Sequence, residues 1–336
     1  MSHPPIPVAV VGVGHMGRHH ARLYRELPSA QLVAVVDANA DRARECAKDF
    51  QCRALTSIDE LPPDVRAVTV AVPTIYHLAV AEPLMRRGVA VLVEKPLAPN
   101  VEEADRMLAI SRETGALLSV GHTERFNPVV RAMQRLQISP KYVETQRISP
   151  FRFRSADIGV VSDMMIHDID IVLNLVKSPV ARLDAVGVNV LSRHEDVANA
   201  RVVFENGAVA NLVASRLALK TDRRIRVFSE TAYLSLDYQR KTGIAITRDA
   251  NLDILAMARD GKFDNLADMA NVDFGQLVKV EPLLVDDVEP LRAELEAFLD
   301  SVATGKPPPV TAEDGAAAVR LASDIVAALG AHRWGH

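Results

Sequence analysis

Three side chains in this sequence are of types that move protons and stand where they could do so. Lys95 lies in the run Glu94-Lys95-Pro96-Leu97, directly after the apolar stretch Val89 to Val93. Asp163 and His167 stand four residues apart at the head of a segment, Asp163 to Asn174, whose other residues are largely apolar. An ammonium, an imidazole and a carboxylate are the groups that donate, accept or orient a proton at a reacting hydroxyl. Well upstream of Lys95, Gly12-Val13-Gly14-His15-Met16-Gly17 has the spacing of a dinucleotide cradle. A lysine at the carboxyl end of a strand in the same sheet is where open α/β folds place ligands and chemistry. A proton-transfer group beside a dinucleotide implies a nicotinamide-dependent oxidoreductase.

The glycines have separate duties. Gly12 permits a tight turn after the first strand, Gly14 lets the backbone approach a pyrophosphate, and Gly17 lets the following helix pack on the strand. The phosphates then meet a helix amino terminus, where N–H groups and the macrodipole favour negative charge. Asp37, at the end of the next strand, is placed to hold the ribose hydroxyls. Ala38 and Asn39 follow it, with no adjacent cation to offset a 2′-phosphate, so the sequence favours NAD over NADP.

The elements that must position these groups alternate over the first 122 residues. Strands are expected at Pro7 to Val13, Gln31 to Val36, Ala67 to Val72, Val89 to Val93 and Ala116 to Val120. Helices are expected at His15 to Leu27, Ala40 to Phe50, Tyr76 to Arg87 and Val101 to Thr114, the last capped by Asn100. Such alternation means βαβ units and a doubly wound parallel sheet. From Lys141 the pattern changes to longer, alternating strands. Ala200 to Phe204 and Val209 to Ala214 flank Glu205-Asn206-Gly207-Ala208, a hairpin signal. Further strands are expected at Arg224 to Phe228, Ala232 to Leu236 and Ile244 to Thr247, with a long helix at Val161 to Val176. Asn251 to Val280 has no clean period, and Glu289 to Thr304 and Ala312 to Leu329 read as amphipathic helices. The expected fold is α/β: a Rossmann domain over residues 1–123, then an α+β substrate-binding and oligomerisation domain over 124–336 with an open, mainly antiparallel sheet. The last helices are expected to pack back toward the first domain.

Composition narrows the classes. With 336 residues and 49% hydrophobic content the chain can build two cores. A net charge of −4 gives no electrostatic case for nucleic acid. No apolar run approaches the roughly 20 residues of a membrane span. The start lacks a basic region before an apolar stretch, which reads as a cytoplasmic protein. Cys46 and Cys52 suggest neither a disulfide framework nor a zinc site and read as reduced thiols. His15, His19 and His20 read as residues of the first helix and its exposed edge.

On an ideal helix, at roughly 100° per residue, Asp163, His167, Asp170 and Asn174 share one narrow face. Two accounts stay open for this stripe. It is a structural network in which acids orient the imidazole, or it is an active-site wall with His167 as acid, base or ligand. Histidine and aspartate at this spacing can also chelate, but no further ligand cluster is evident, so no metal is expected.

These residues together resemble the Gfo/Idh/MocA oxidoreductase family. The resemblance rests on Gly12, Gly14 and Gly17, on Pro73-Thr74-Ile75-Tyr76-His77, on Glu94-Lys95-Pro96, on Asp163 with His167, and on Glu294-Leu295-Glu296-Ala297-Phe298. It implies hydride transfer between a sugar or cyclitol carbinol and a nicotinamide, with NAD contacts from His15, Met16, Pro73, Thr74, His77, Glu94 and Lys95. It implies that Lys95 and His167 both reach the reacting carbon, with Asp163 orienting or binding a hydroxyl, and a cis bond at Pro96. It also implies a homodimer or homotetramer formed through the open sheet. Three stretches, Gly121 to Pro128, Arg154 to Val161 and Asp163 to Asp170, resemble the branch that oxidises nucleotide-linked amino sugars at C3. The product there is a 3-keto sugar passed to an aminotransferase. Arg125, Asn127 and Arg154 are then candidates to hold the pyrophosphate or sugar. A departure is Gly159-Val160-Val161-Ser162, where many members carry a glycine-rich run. Competing readings keep the fold and change the substrate to a free sugar, cyclitol or sugar phosphate, or make the chain a non-catalytic dinucleotide sensor.

Overall fold

The structure, a computed structural model, describes residues 4–151, 158–248 and 278–332. A six-stranded parallel sheet opens the chain, with strand order β3-β2-β1-β4-β5-β6. Its strands are β1 (Ile6–Val11), β2 (Ala30–Val36), β3 (Arg53–Leu55), β4 (Ala67–Val70), β5 (Ala90–Glu94) and β6 (Leu118–Gly121). Helices α1 (His15–Glu26), α2 (Ala40–Phe50), α3 (His77–Arg86) and α4 (Val101–Thr114) cover it. Both faces are sealed, which is why its central strands read as unbroken apolar runs rather than alternating ones. Local signals set the helix starts. Asn39 Oδ1 accepts from the amides of Asp41 and Arg42, and Asn100 Oδ1 accepts from Glu103 N at 2.8 Å.

The second sheet has eight strands in the order β14-β13-β12-β11-β7-β10-β9-β8. These are β7 (Tyr142–Ile148), β8 (Val180–Val188), β9 (Val197–Phe204), β10 (Val209–Ser215), β11 (Asp222–Phe228), β12 (Ala232–Asp237), β13 (Thr242–Arg248) and β14 (Val278–Pro282). All pairs are antiparallel except β10 with β7. The Asn206-Gly207 hairpin forms as the dipeptide requires: Gly207 has φ +82° and Asn206 Oδ1 accepts from Ala208 N. Along β10 the buried side is Ala210, Leu212 and Ala214, which pack against a helical layer. That layer holds α5 (Pro128–Arg135), α6 (Ile166–Val176) and α8 (Ala312–Ala331). A wide π turn, Val161–Met165, leads into α6. Helix α7 (Pro290–Thr304) returns to the first sheet, burying Leu291, Leu295 and Phe298 with Val8, Leu23 and Leu92.

Element types match the expectations, with ends displaced by a few residues. Strands β3, β7 and β8 and helix α5 have no counterpart among the expected elements. β8 alternates only between half-buried and exposed positions, with Leu183 and Ala185 turned to the core, so its contrast is weak. Most of the ambiguous stretch Asn251 to Val280 lies outside the described residues; its last residues, from Val278, join β14. Cys46 and Cys52 are free thiols. Among the described residues no helix is long and apolar enough to cross a membrane.

Candidate active site

The glycine-rich turn joins β1 to α1. Gly12 adopts φ +85°, and a Cβ there would lie 2.7 Å from Val72 N. A Cβ on Gly17 would fall 1.8 Å from the carbonyl oxygen of Gly12, so only glycine lets α1 seat on the turn. Gly14 is different: a Cβ there would meet nothing within 4 Å. The backbone is open on that side, at a helix start with no side-chain cap and no acid in its first turn. Unclaimed N–H groups beside an open approach fit a dinucleotide pyrophosphate. His15 and Met16 are exposed in this turn.

Asp37 ends β2 with its carboxylate nearly buried. It accepts from Val13 N at 3.0 Å and from Asn39 N at 2.9 Å, so it braces the glycine turn. One expectation is corrected here. A cation does stand near it: Arg42 Nη1, one turn into α2, lies 3.5 Å from Asp37 Oδ2. Linear adjacency missed it because the chain turns at Asn39 into α2, whose first turn carries Arg42 back beside Asp37. Pro73 and Thr74 begin a short 3₁₀ turn after β4. His77 is buried, with Nδ1 3.0 Å from the Pro96 carbonyl and Nε2 3.0 Å from that of Val72. Its nitrogens tie two loops together, so it shapes the rim without a nitrogen left to bind cofactor.

Lys95 follows the last residue of β5, and its bond to Pro96 is cis. Its ammonium donates to the main-chain carbonyl of Asp163 at 2.7 Å and to Asp163 Oδ1 at 3.2 Å. Lys95, Asp163 and His167 line one pocket of about 190 Å³ with Arg147, Ser149, Met164, Arg216, Thr221 and Arg223. A cavity of about 1,100 Å³ lies elsewhere and shares none of these residues. Size does not select it, because the chemistry-bearing groups converge in the smaller one, at the carboxyl end of a parallel strand.

Burial and the positive charges of Lys95 and Arg147 hold the His167 imidazole well below its ordinary pKa. It is therefore neutral at neutral pH and able to accept a proton. His167 Nδ1 is buried with no partner among the described residues. The expected polar stripe divides. Asp163 and His167 face the pocket, whereas Asp170 is buried and Asn174 lines the larger cavity. The split falls within the regular helix α6, where Arg125 draws Asp170 into a buried pair away from the pocket.

Two substrate candidates are corrected. Arg125 is buried and grips Asp170 with Nε and Nη2, both at 2.7 Å, while Nη1 reaches Asp314 Oδ2 at 3.2 Å. Asn127 caps α5, its Oδ1 accepting from Val129 N. Both belong to internal packing. Arg154 lies outside the described residues. His20 is also corrected: it is fully buried rather than at an exposed edge, and its Nε2 lies 2.7 Å from Glu94 Oε1.

The pocket's other arginines were missed. Arg147 and Arg223 face each other across β7 and β11. Glu124 answers both, 3.2 Å from Arg147 Nη1 and 3.5 Å from Arg223 Nη1, which relieves the like-charge pairing. Arg147 is further clamped by Asp168 and buried, but the Arg223 side chain is 44% exposed. The only sequence signal was Arg147 and Ser149 at two-residue spacing on one strand face.

Comparison with known proteins agrees with this geometry. Residues 6–122 match the model described as oxidoreductase family, NAD-binding Rossmann fold, and residues 137–235 match the GFO/IDH/MocA C-terminal domain. The chain is 37% identical over 299 residues, 89% of each chain, to UDP-N-acetylglucosamine 3-dehydrogenase of Acidithiobacillus ferrooxidans. A solved structure of that name from the same organism superposes with a TM-score of 0.87, at 34% identity, over 97% of this chain and 98% of the other. Myo-inositol 2-dehydrogenase of Thermotoga maritima is 27% identical over 343 aligned positions, covering 94% of this chain and 93% of the relative. With a glycine-rich turn on one sheet and a lysine, an aspartate and a histidine meeting between that sheet and the next, the chain belongs to the Gfo/Idh/MocA family of NAD-dependent oxidoreductases acting on CH–OH groups.

Proposed function

We propose that this protein oxidises the C3 hydroxyl of a nucleotide-linked amino sugar of the UDP-N-acetylglucosamine class to a 3-keto sugar. The observation that carries the reading is the single pocket in which the part-exposed guanidinium of Arg223 lies with Lys95, Asp163 and His167. A free cyclitol has no anionic group for that guanidinium, whereas a diphosphate takes bidentate donation from it. Arg223, the most exposed arginine of the pocket, replaces Arg125 as the candidate for that contact. The relative named as a UDP-N-acetylglucosamine 3-dehydrogenase supports the same substrate class.

NAD, when bound in the glycine cradle, supplies the hydride acceptor. The protein's own work is proton handling. Neutral His167 takes the hydroxyl proton. Lys95, held by Asp163 through two contacts, donates toward the oxygen as negative charge develops. Asp163 keeps the ammonium aimed while its own carboxylate stays available to a neighbouring hydroxyl. Asp37 favours NAD over NADP despite Arg42, because its carboxylate, held after β2 by the Val13 and Asn39 amides, would repel a 2′-phosphate.

The test follows NADH absorbance with UDP-N-acetylglucosamine, NAD, L-glutamate as amino donor and a matching aminotransferase, which removes the keto sugar as it forms. Turnover with the UDP-sugar and none with inositol or glucose supports the reading. Faster turnover with inositol gives the cyclitol reading instead, and bound NAD with no turnover on any sugar gives the sensor reading. We further infer that residues 1–123 form the NAD-binding domain and 124–336 the substrate domain, in a cytoplasmic homodimer or homotetramer built through the open face of the second sheet.

A further inference from the structure

Behind Lys95 lies a group of buried ionisable side chains that the mechanism above does not use. His20 comes from α1, Glu94 from the end of β5 and Glu294 from α7, and all three are buried. One nitrogen or oxygen from each lies within 4.8 Å of the others. Glu94 is fully engaged: Oε1 accepts from His20 Nε2 at 2.7 Å and Oε2 from the Lys95 amide at 3.3 Å. Gly121 backs it so closely that a Cβ there would sit 3.3 Å from Glu94 Oε2. Glu294 is not fully engaged. Thr123 Oγ1 donates to its Oε2 at 3.0 Å, but its Oε1 is buried with no partner among the described residues.

Two carboxylates this near, away from water, cannot both carry full charge without a compensating cation. The titratable groups facing Glu294 are Glu94, His20, Asp170 and Tyr24; Asp170 is already paired with Arg125, and the Tyr24 hydroxyl with Thr69. We propose that Glu294 is held as the neutral acid beside the Glu94 carboxylate, so that His20, Glu94 and Glu294 form one buried positioning network behind the Lys95 backbone. A divalent cation would balance the same charges. The geometry favours the proton, because ligands about 2.1 Å from a tetrahedral zinc stand about 3.4 Å apart, whereas His20 and Glu94 are in direct contact at 2.7 Å. Glu294 then works at a distance. It locks the orientation of Glu94, and Glu94 in turn holds the amide of the residue that presents the ammonium. Burial next to Glu94 pushes the Glu294 carboxyl well above its ordinary range, in agreement with the same assignment.

The test is infrared spectroscopy of the full-length protein near neutral pH, alongside Glu294→Gln, and it does not depend on which sugar is the substrate. The expected result is a carbonyl stretch of a buried, protonated carboxylic acid in the native protein that is absent in the variant. Glu294→Gln retains one amide donor toward Glu94, so NAD affinity should stay within about twofold of native. Thermal scans supply a second reading. A carboxyl whose folded pKa is raised loses stability as pH rises above its unfolded value of about 4.3. The native protein should therefore lose ground to Glu294→Gln as pH rises from about 5 toward 8. No acid band in the native protein, the same band in the variant, or a stoichiometric divalent metal retained by the purified protein would each overturn the proposal.

Discussion

The ammonium of Lys95 sits 2.7 Å from the main-chain carbonyl of Asp163, joining residues 68 positions apart and two different sheets' worth of structure. The contact fastens the end of β5 to the π turn before α6, so the position of Asp163 sets the aim of Lys95. His167, one turn further along, then opens onto the same pocket.

Removing either proton-handling group should separate chemistry from cofactor binding. Lys95→Met and His167→Asn are each expected to lower kcat by about 10²–10⁴-fold, the usual contribution of a positioned acid or base. The NAD dissociation constant, read by fluorescence titration, should change little, because the glycine cradle stands on other residues. Near-native rates in both variants would remove the assignment.

The rate should depend on pH with a definite sign. Burial first, then Lys95 and Arg147, hold His167 below its usual value of about 6.5. The neutral imidazole is the working form, so kcat/KM should stay flat near neutrality and fall only as pH drops below that value. Stability should move the same way. The folded imidazole resists protonation while the unfolded one accepts it, so acid below about pH 6.5 favours unfolding. A rate profile whose acid limb survives in His167→Asn would assign that limb to another group.

The glycines should divide into one of fold and one of binding. Gly17→Ala forces a methyl onto the Gly12 carbonyl and should cost about 1–3 kcal/mol or more, read as a fall in Tm. Gly14→Ala meets no protein atom, so Tm without cofactor should hold while NAD affinity falls by about tenfold, roughly 1.4 kcal/mol. Equal losses of Tm in both would contradict an open approach at Gly14.

Two arginines should respond in opposite ways. Arg125→Met strands the buried Asp170 carboxylate and should destabilise the fold by about 3–5 kcal/mol. Arg223→Met lies at the pocket and is half exposed, so Tm should shift little while KM for the UDP-sugar rises about tenfold. If KM were unchanged, the diphosphate would have to lie elsewhere.

The sequence by itself determined what neighbours along the chain decide. The Gly12, Gly14 and Gly17 spacing, the Asn100 cap, the Asn206-Gly207 hairpin and the strand that delivers Lys95 all rest on steric and hydrogen-bond rules acting over a few residues. The family resemblance then singled out Lys95, Asp163 and His167 together. Only the tertiary structure decided how the remaining charges were shared out. Arg125 looked suited to a phosphate until Asp170 and Asp314 closed around it, whereas Arg223, unmarked in the sequence, stands partly in solvent at the pocket. His20 looked like a surface residue until Glu94 met it 74 positions away. A buried charge must be paired, and its partner is chosen by which strands and helices the fold brings side by side, which no local spacing encodes.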